Sequence, residues 1–196
     1  MKKLFESGEF RKYRKTFSLD EARGIIAESS QYPTRKTVFI SHKHGELEDL
    51  KDIIGFLEVN YSVKCYIDSR DPTLPIITSG KTAARIKNRI RKCDKFILLA
   101  TNMAIESKWC NWELGIGDGA KYPNSIALFP IKPKGSGDSE YKGSEYMELY
   151  PYISYYYGNE SYTSGKKIKN DYYVRTNNLD GSNRIVSLGN WLLSSL

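Results

Sequence analysis

The run TVFIS at positions 37–41 begins the part of the chain that decides its fold class. It is apolar almost throughout and rich in β-branched residues, which is typical of a short strand buried on both faces. A polar loop follows, and residues 46–58 then carry leucine and isoleucine at the spacing of an amphipathic helix. A second strand is predicted at 63–67 and closes a strand–helix–strand unit, from which parallel sheets are built.

The same alternation continues to residue 130. A helix is predicted over 79–92, a third strand over 96–100, a further helix through 107–117 and a fourth strand over 125–130. Strands that alternate with helices at this spacing predict an α/β protein with a doubly wound parallel sheet.

The two ends of the chain are less regular. Residues 1–35 are rich in lysine and arginine and contain a helical run at 18–29, so we expect a basic N-terminal extension with a helix. The remainder, 36–196, is expected to form one domain, with its core in 36–131 and a less regular part in 132–196.

The C-terminal part is rich in tyrosine, and its periodicity is weaker. Residues 150–157 fit either a helix or a strand. A short edge strand is predicted at 172–174, and a closing helix that contains Trp191 is predicted over 185–193.

Composition places the chain among ordinary globular proteins, because 40% of its 196 residues are hydrophobic and 27% are charged. No apolar run reaches the roughly 18 residues of a spanning helix, so no membrane contact is expected. Glu6 and Glu9 interrupt the basic start before any apolar segment, which argues against a secretory signal and for the cytoplasm. The net charge of +7 permits binding of nucleic acid or of an anionic nucleotide. Zinc-finger spacing and RNA-binding aromatic signatures are absent, so no nucleic-acid partner is expected.

Cysteine and histidine do not form a recognisable metal motif. The three cysteines, Cys65, Cys93 and Cys110, lack metal-type spacing and are expected to be reduced and mostly buried. His42 and His44 share one loop without further ligands at recognised spacing, so neither a structural metal nor a cofactor is expected.

The stretch SKWCNWELGIG at 107–117 carries the residues with the clearest chemical potential. On a helix, Trp109, Trp112, Glu113 and Ile116 fall on adjoining faces. Aromatic walls can remove water from a carboxylate, or they can stack on a flat ring, although a core helix with an exposed acid fits the same residues. Because this helix follows the third strand, Glu113 is expected near the carboxyl edge of the sheet, where open α/β sheets bind ligands.

The sequence lacks the motifs of several enzyme classes. The first strand is not followed by G-x-G-x-x-G, and neither a phosphate-binding G-K-[ST] loop nor a G-x-S-x-G nucleophile elbow occurs. Hydride transfer and ATP hydrolysis are therefore disfavoured. One carboxylate, two tryptophans, a Ser-His loop and several cations suit ribosyl transfer, in which a carboxylate stabilises an oxocarbenium-like centre.

Three segments resemble the TIR (Toll/interleukin-1 receptor) domain. VFISH at 38–42 is similar to the first box of that family, and CYID at 65–68 with its proline-bearing loop is similar to the second strand and BB loop. SKWCNWEL at 107–114 is similar to the S-x-x-W-C-x-x-E-L pattern of enzymatically active members. The resemblance covers about residues 36–131 and implies the flavodoxin-like TIR fold.

The resemblance also implies an activity. Catalytic TIR domains cleave the nicotinamide glycosidic bond of NAD+ and release ADP-ribose or a cyclic isomer, with NAD+ as substrate and no cofactor. Matched by position, the essential glutamate is Glu113. The positions that match substrate-binding residues are Ser41, His42, Lys43, Arg70, Trp109 and Trp112.

Other roles remain open for some of these residues. Trp109 fits a partial core position as well as a stacking wall, and His42 fits a loop cap as well as a pocket group. Arg70 fits a solvated loop charge, although the resemblance places it in the loop that completes the site across subunits. Cys110 is interpreted as a packing residue, since nothing nearby lowers the pKa of its thiol.

The loop HKHG at 42–45 departs from the family, which often has a more acidic loop there. A nearly bare TIR domain of this size is similar to the standalone bacterial subunit of Thoeris-type antiphage systems. That similarity implies self-association through TIR–TIR contacts and a separate effector that the nucleotide product activates. The alternative is a non-catalytic TIR adaptor, which Glu113 disfavours because many adaptors lack a glutamate at this position.

Overall fold

The computed structural model describes residues 1–14, 35–67, 80–178 and 180–194. The helical run predicted at 18–29 and the loop that contains Arg70 lie outside these ranges. Within them the strands are β1 (Phe5–Glu6), β2 (Thr37–Ser41), β3 (Lys64–Tyr66), β4 (Lys95–Ala100), β5 (Ile126–Lys132), β6 (Tyr152–Tyr156), β7 (Asp171–Asn177) and β8 (Asn183–Ser187). The α-helices are α1 (Leu47–Tyr61), α2 (Gly80–Lys92), α3 (Asn102–Ile105), α4 (Lys108–Lys121), α5 (Ser144–Leu149) and α6 (Leu188–Leu193).

One sheet organises the described residues, with strand order β3-β2-β4-β5-β6-β7-β8. Strands β3, β2, β4, β5 and β6 run parallel, and β7 and β8 add an antiparallel hairpin at the far side. The order reverses between β2 and β4, because β3 lies on one side of β2 and the rest of the sheet on the other.

Both faces of the sheet are covered, which explains why the central strands are mostly apolar. Every residue of β4 is buried. Helices α1 and α6 pack on one face, where Leu50, Ile54 and Trp191 join the first core cluster. Helices α2, α4 and α5 pack on the other, with Ile86 and Leu114 in the second cluster. The predicted doubly wound α/β class is confirmed.

The first fourteen residues contribute to the core. β1 pairs in parallel with the end of β5, and the backbone of Lys2 forms hydrogen bonds with that of Tyr155 in β6. Phe5 and Phe10 are buried in an aromatic cluster with Phe56 and Phe129. The described part of the predicted extension is therefore built into the domain, and the boundary at residue 35 stays a prediction.

The C-terminal half differs from the sequence-based expectations in two places. Residues 152–156 form a strand, which resolves the ambiguity at 150–157. The predicted edge strand at 172–174 is part of β7, but it is not an edge, because β8 pairs with its other side. The closing helix predicted over 185–193 is wrong for its first residues, which belong to β8. A turn with Gly181 at φ 79° reverses the chain before β8, and the helix begins only at Leu188.

Within the described ranges, no helix combines the length and apolar character that crossing a membrane requires.

Candidate active site

The reversal of strand order fixes where a ligand can bind. The chain leaves β2 toward one face of the sheet and β4 toward the other, so a crevice opens beyond the carboxyl ends of these two strands. Ser41 is the last residue of β2 and pairs with Leu98 of β4. β4 ends at Ala100, and Thr101 caps the short helix α3.

Helix α4 brings Glu113 to this crevice. The helix begins after Ser107, whose hydroxyl accepts the N–H of Cys110 at 3.4 Å. Its buried positions include Cys110, Glu113, Leu114 and Gly117, which follow helical spacing and face the sheet. Gly117 allows the close approach, because a Cβ there would lie 3.0 Å from Cγ of Phe96 in β4.

A hydrogen bond between buried groups joins α4 to β2. The hydroxyl of Ser41 donates to Oε2 of Glu113 at 2.5 Å. Ser41 is 1% exposed and Glu113 is 2% exposed. The acid therefore lies at the floor of the crevice, in contrast to the interpretation of 107–117 as a core helix with an exposed acid. Burial of a carboxyl group away from water costs free energy. Buried carboxyl groups of this kind are typical of functional sites.

The two tryptophans of α4 stack on each other. Their ring centroids are 4.7 Å apart with an interplanar angle of 27°. Both are half-buried against the second core cluster, and Nζ of Lys87 in α2 lies 5.6 Å from the ring centroid of Trp112. Each indole thus has at least one covered face, and both residues serve partly as core. Trp109 lies one helical turn before Glu113 on the same helix.

The loop after β2 begins directly after Ser41. His42 is buried and His44 is exposed, with their rings 5.5 Å apart. Lys43 is half-buried, and its carbonyl accepts the N–H of Glu46 in a turn that contains Gly45 at φ 105°. This positive φ favours glycine, which has no Cβ to clash.

Cys110 lies beside the Ser41–Glu113 pair. Burial raises the pKa of its thiol, the negative charge of Glu113 raises it further, and hydrogen bonds with Ser107 and Ser41 and the charge of Lys43 oppose the shift. A thiol with a raised pKa is a poor nucleophile. The structure supports the packing role that the sequence indicated for this residue.

Sequence analysis missed a second polar pair at the same strand ends. The hydroxyl of Thr101 donates to Oε2 of Glu46 at 2.5 Å and accepts the N–H of Ala104 at 3.0 Å. Burial raises the pKa of Glu46, and the negative charge of Asp49 adds to this, while the Thr101 hydrogen bond and Lys43 oppose it. The only local signals are a threonine that ends a strand and an acid that begins a helix, and both patterns usually reflect capping.

The structure thus brings together most of the predicted site residues. Ser41 and Glu113 are in contact, His42 and Lys43 follow Ser41 directly, and Trp109 and Trp112 share the helix of Glu113. Arg70 lies outside the described residues. Among the residues that are described, no group of three or more histidine, cysteine, aspartate or glutamate side chains is arranged to hold a metal ion.

A doubly wound sheet with a buried glutamate at its switch point places this protein among the open α/β sheet domains, in which ligands bind beyond the carboxyl ends of the strands. The model of the TIR domain family matches residues 38–162, and the chain belongs to this family. Over 145 residues the chain is 31% identical to the probable 3′ cyclic ADP-D-ribose synthase ThsB′ of Bacillus cereus (strain MSX-D12). The alignment covers 70% of this chain and 72% of that protein. The family resemblance inferred from three sequence segments is therefore confirmed.

Proposed function

We propose that this protein cleaves the bond between nicotinamide and ribose in NAD+ and releases ADP-ribose or a cyclic ADP-ribose-type signal. The observation that carries the proposal is the buried Ser41–Glu113 hydrogen bond at the switch point of a TIR domain. The similarity to a probable cyclic ADP-ribose synthase supports it, because that enzyme class acts on the same type of nucleotide.

The chemistry requires little beyond a well-held carboxylate. When the bond between C1′ and the pyridinium nitrogen breaks, its electron pair goes to that nitrogen and neutral nicotinamide leaves. Positive charge then develops on the ribose, and the carboxylate of Glu113 stabilises it. The Ser41 hydroxyl fixes one carboxylate oxygen, so the carboxylate is already oriented when charge develops on the ribose.

The remaining predicted residues have roles that fit their places. A flat ring of the nucleotide can stack on Trp109, and Trp112 supports that indole from its other face. Lys43 supplies positive charge for the diphosphate, with His42 beside it at the end of β2. For Arg70 we propose the role that the family resemblance gives it, completion of the site by the loop after β3.

The biological setting follows the same similarity. We propose that the protein acts in the cytoplasm in a Thoeris-like antiphage pathway, assembles through TIR–TIR contacts, and makes a nucleotide that activates a separate effector. The 31% identity to ThsB′ supports this setting.

Release of nicotinamide tests the proposal. Purified protein at high concentration is incubated with NAD+, and Glu113→Gln is compared with wild type. We expect a loss of about 100-fold or more, because the amide keeps the size but not the charge that stabilises the transition state. The matched control is Glu106→Gln, which neutralises an exposed acid between α3 and α4 and keeps wild-type release. Equal release above background from wild type and Glu113→Gln would contradict the role of Glu113, and absence of release from wild type would favour the non-catalytic adaptor.

A further inference from the structure

A second carboxylate lies at the strand ends that hold Glu113. Glu46 follows the loop after β2, and Thr101 follows β4, so their 2.5 Å hydrogen bond spans the two strands that flank the switch point. Ser41 pairs with Leu98, and Thr101 follows Leu98 by three residues. The Glu46 carboxylate, which is bonded to Thr101, therefore lies further along the carboxyl direction of the strands than the Ser41–Glu113 pair.

The two oxygens of Glu46 differ in their surroundings. Oε2 accepts from Thr101, whereas Oε1 has no hydrogen-bond donor within the described part of the chain. The side chain is half-buried, and its backbone is fixed by the bonds from Glu46 N–H to Lys43 and from Leu50 N–H to Glu46. An oriented carboxylate with one open oxygen is suited to accept a hydrogen bond from a ligand hydroxyl.

Formation of a cyclic product needs a group of this kind. If the nucleophile at C1′ is a hydroxyl of the same nucleotide, an O–C1′ bond forms while the C1′–N bond breaks, and the hydroxyl proton must go to a base. In the proposed cleavage Glu113 faces the positive ribose during this step, so a separate acceptor leaves the negative charge of Glu113 in place.

We propose that Glu46 is a second catalytic residue, whose carboxylate accepts the proton of the attacking ribose hydroxyl and so directs the reaction toward a cyclic product. Thr101 is its positioning residue. The inference rests on the proposed cleavage of NAD+ and adds to it the choice between ring closure and attack by water. The proton passes from Glu46 to solvent after ring closure, so the products are the cyclic nucleotide, nicotinamide and one proton.

The test is the fraction of released nicotinamide that is matched by cyclic product, measured by chromatography and mass spectrometry on the full chain with NAD+. Because this ratio is normalised to cleavage, it reports the fate of the ribose and not the overall rate. We expect Glu46→Gln, which keeps the size but cannot take a proton, to lower the cyclic fraction about tenfold or more in favour of ADP-ribose. Glu106→Gln keeps the wild-type fraction.

Thr101 gives an independent variant if Glu46→Gln does not fold. Thr101→Val removes the hydroxyl that orients Glu46, and its cyclic fraction falls about three- to tenfold, as expected for one lost hydrogen bond. Thr101→Ser restores the hydroxyl and returns the fraction toward wild type. An unchanged cyclic fraction in folded Glu46→Gln or Thr101→Val, or a wild-type protein that makes only linear ADP-ribose, overturns the inference alone. Absence of nicotinamide release from wild type overturns the proposed function.

Discussion

At the scale of single residues, the site depends on how one carboxylate is held. Glu113 is buried on the sheet-facing side of α4, and Ser41 donates to it from the end of β2. A buried carboxylate that loses a donor becomes less well oriented and more costly to keep charged.

Substitution of Ser41 tests this dependence. We expect Ser41→Ala to lower the rate of nicotinamide release by about 10- to 100-fold, since loss of a hydrogen bond to a charged group costs about 1.5–3 kcal/mol. The rate at saturating NAD+ is the relevant measurement, with thermal unfolding to verify the fold. A folded Ser41→Ala protein with the wild-type rate would show that Ser41 does not position the carboxylate.

The sequence correctly predicted the relative positions of neighbouring residues on one helix. Helical spacing placed Trp109 one turn before Glu113, and α4 contains both residues. The site roles that the family resemblance gives them stay predictions. The sequence could not show that the two indoles stack on each other, because that depends on side-chain rotamers. Nor could it find the Glu46–Thr101 pair, whose partners are 55 residues apart and meet only after β2 and β4 align.

At the scale of elements, the approach of α4 to β4 places the side chain of Glu113. Gly117 is one helical turn after Glu113 and lies against the ring of Phe96. An added methyl group must displace either the ring or the helix, because protein interiors are closely packed.

We therefore expect Gly117→Ala to lower the free energy of unfolding by about 1–3 kcal/mol and to reduce nicotinamide release, because overpacking shifts the helix. The control is Gly115→Ala on the same helix, where a Cβ meets no atom within 4 Å. This control should gain about 0.5–1 kcal/mol from helix propensity. Chemical denaturation measures both changes. A Gly117→Ala protein as stable as Gly115→Ala would contradict the close packing.

Lys95, at the start of β4, connects the amino ends of the central strands to the end of α6. Its Nζ donates to the hydroxyls of Ser125 and Ser194 and lies 5.0 Å from the ring centroid of Trp191. Burial lowers the pKa of Lys95 from 10.5 to about 8, and the nearby charge of Lys36 contributes.

This shift predicts a pH-dependent term in stability. Between pH 8 and 10.5 the unfolded chain keeps a proton on Lys95 that the folded chain has released, so this residue makes the free energy of unfolding rise with pH. The term is absent in Lys95→Met. We expect the difference in stability between wild type and Lys95→Met to change by about 1–3 kcal/mol in favour of wild type across that interval. Parallel stability curves for the two proteins would contradict a lowered pKa.

Element prediction succeeded for the parallel strands and failed for the hairpin. Four short, mostly apolar runs separated by amphipathic helices are strong local patterns, and β2 to β5 lie where they were predicted. Residues 185–193 contain Ile185 and Val186 followed by a helical motif, and local periodicity merged the two. The Asp180-Gly181 turn, which separates them from β7, was the missed signal.

At the scale of the whole molecule, the first fourteen residues are integral to the fold. Phe5 and Phe10 fill a cluster with Phe129 of β5, and Arg14 pairs with the buried carboxylate of Asp52 in α1. Sequence indicated a basic extension, because the few apolar residues of this segment have no clear period.

Phe10→Ala tests this assignment. We expect the free energy of unfolding to fall by about 3–5 kcal/mol, as for other buried aromatic residues. Lys12→Ala, an exposed neighbour in residues 11–13, should change it by less than about 0.5 kcal/mol. A loss for Phe10→Ala that is as small as the one expected for Lys12→Ala would show that the segment does not belong to the core.

We propose that this TIR domain breaks the nicotinamide–ribose bond of NAD+ with Glu113. The most direct measurement uses NAD+ deuterated on the nicotinamide ring and follows the label by mass spectrometry. We predict that wild type releases labelled free nicotinamide in a one-to-one ratio with NAD+ consumed, and that Glu113→Gln releases almost none. Label that stays in NAD+ with wild-type protein, that appears in nicotinamide mononucleotide, or that is released equally by Glu113→Gln would contradict the claim.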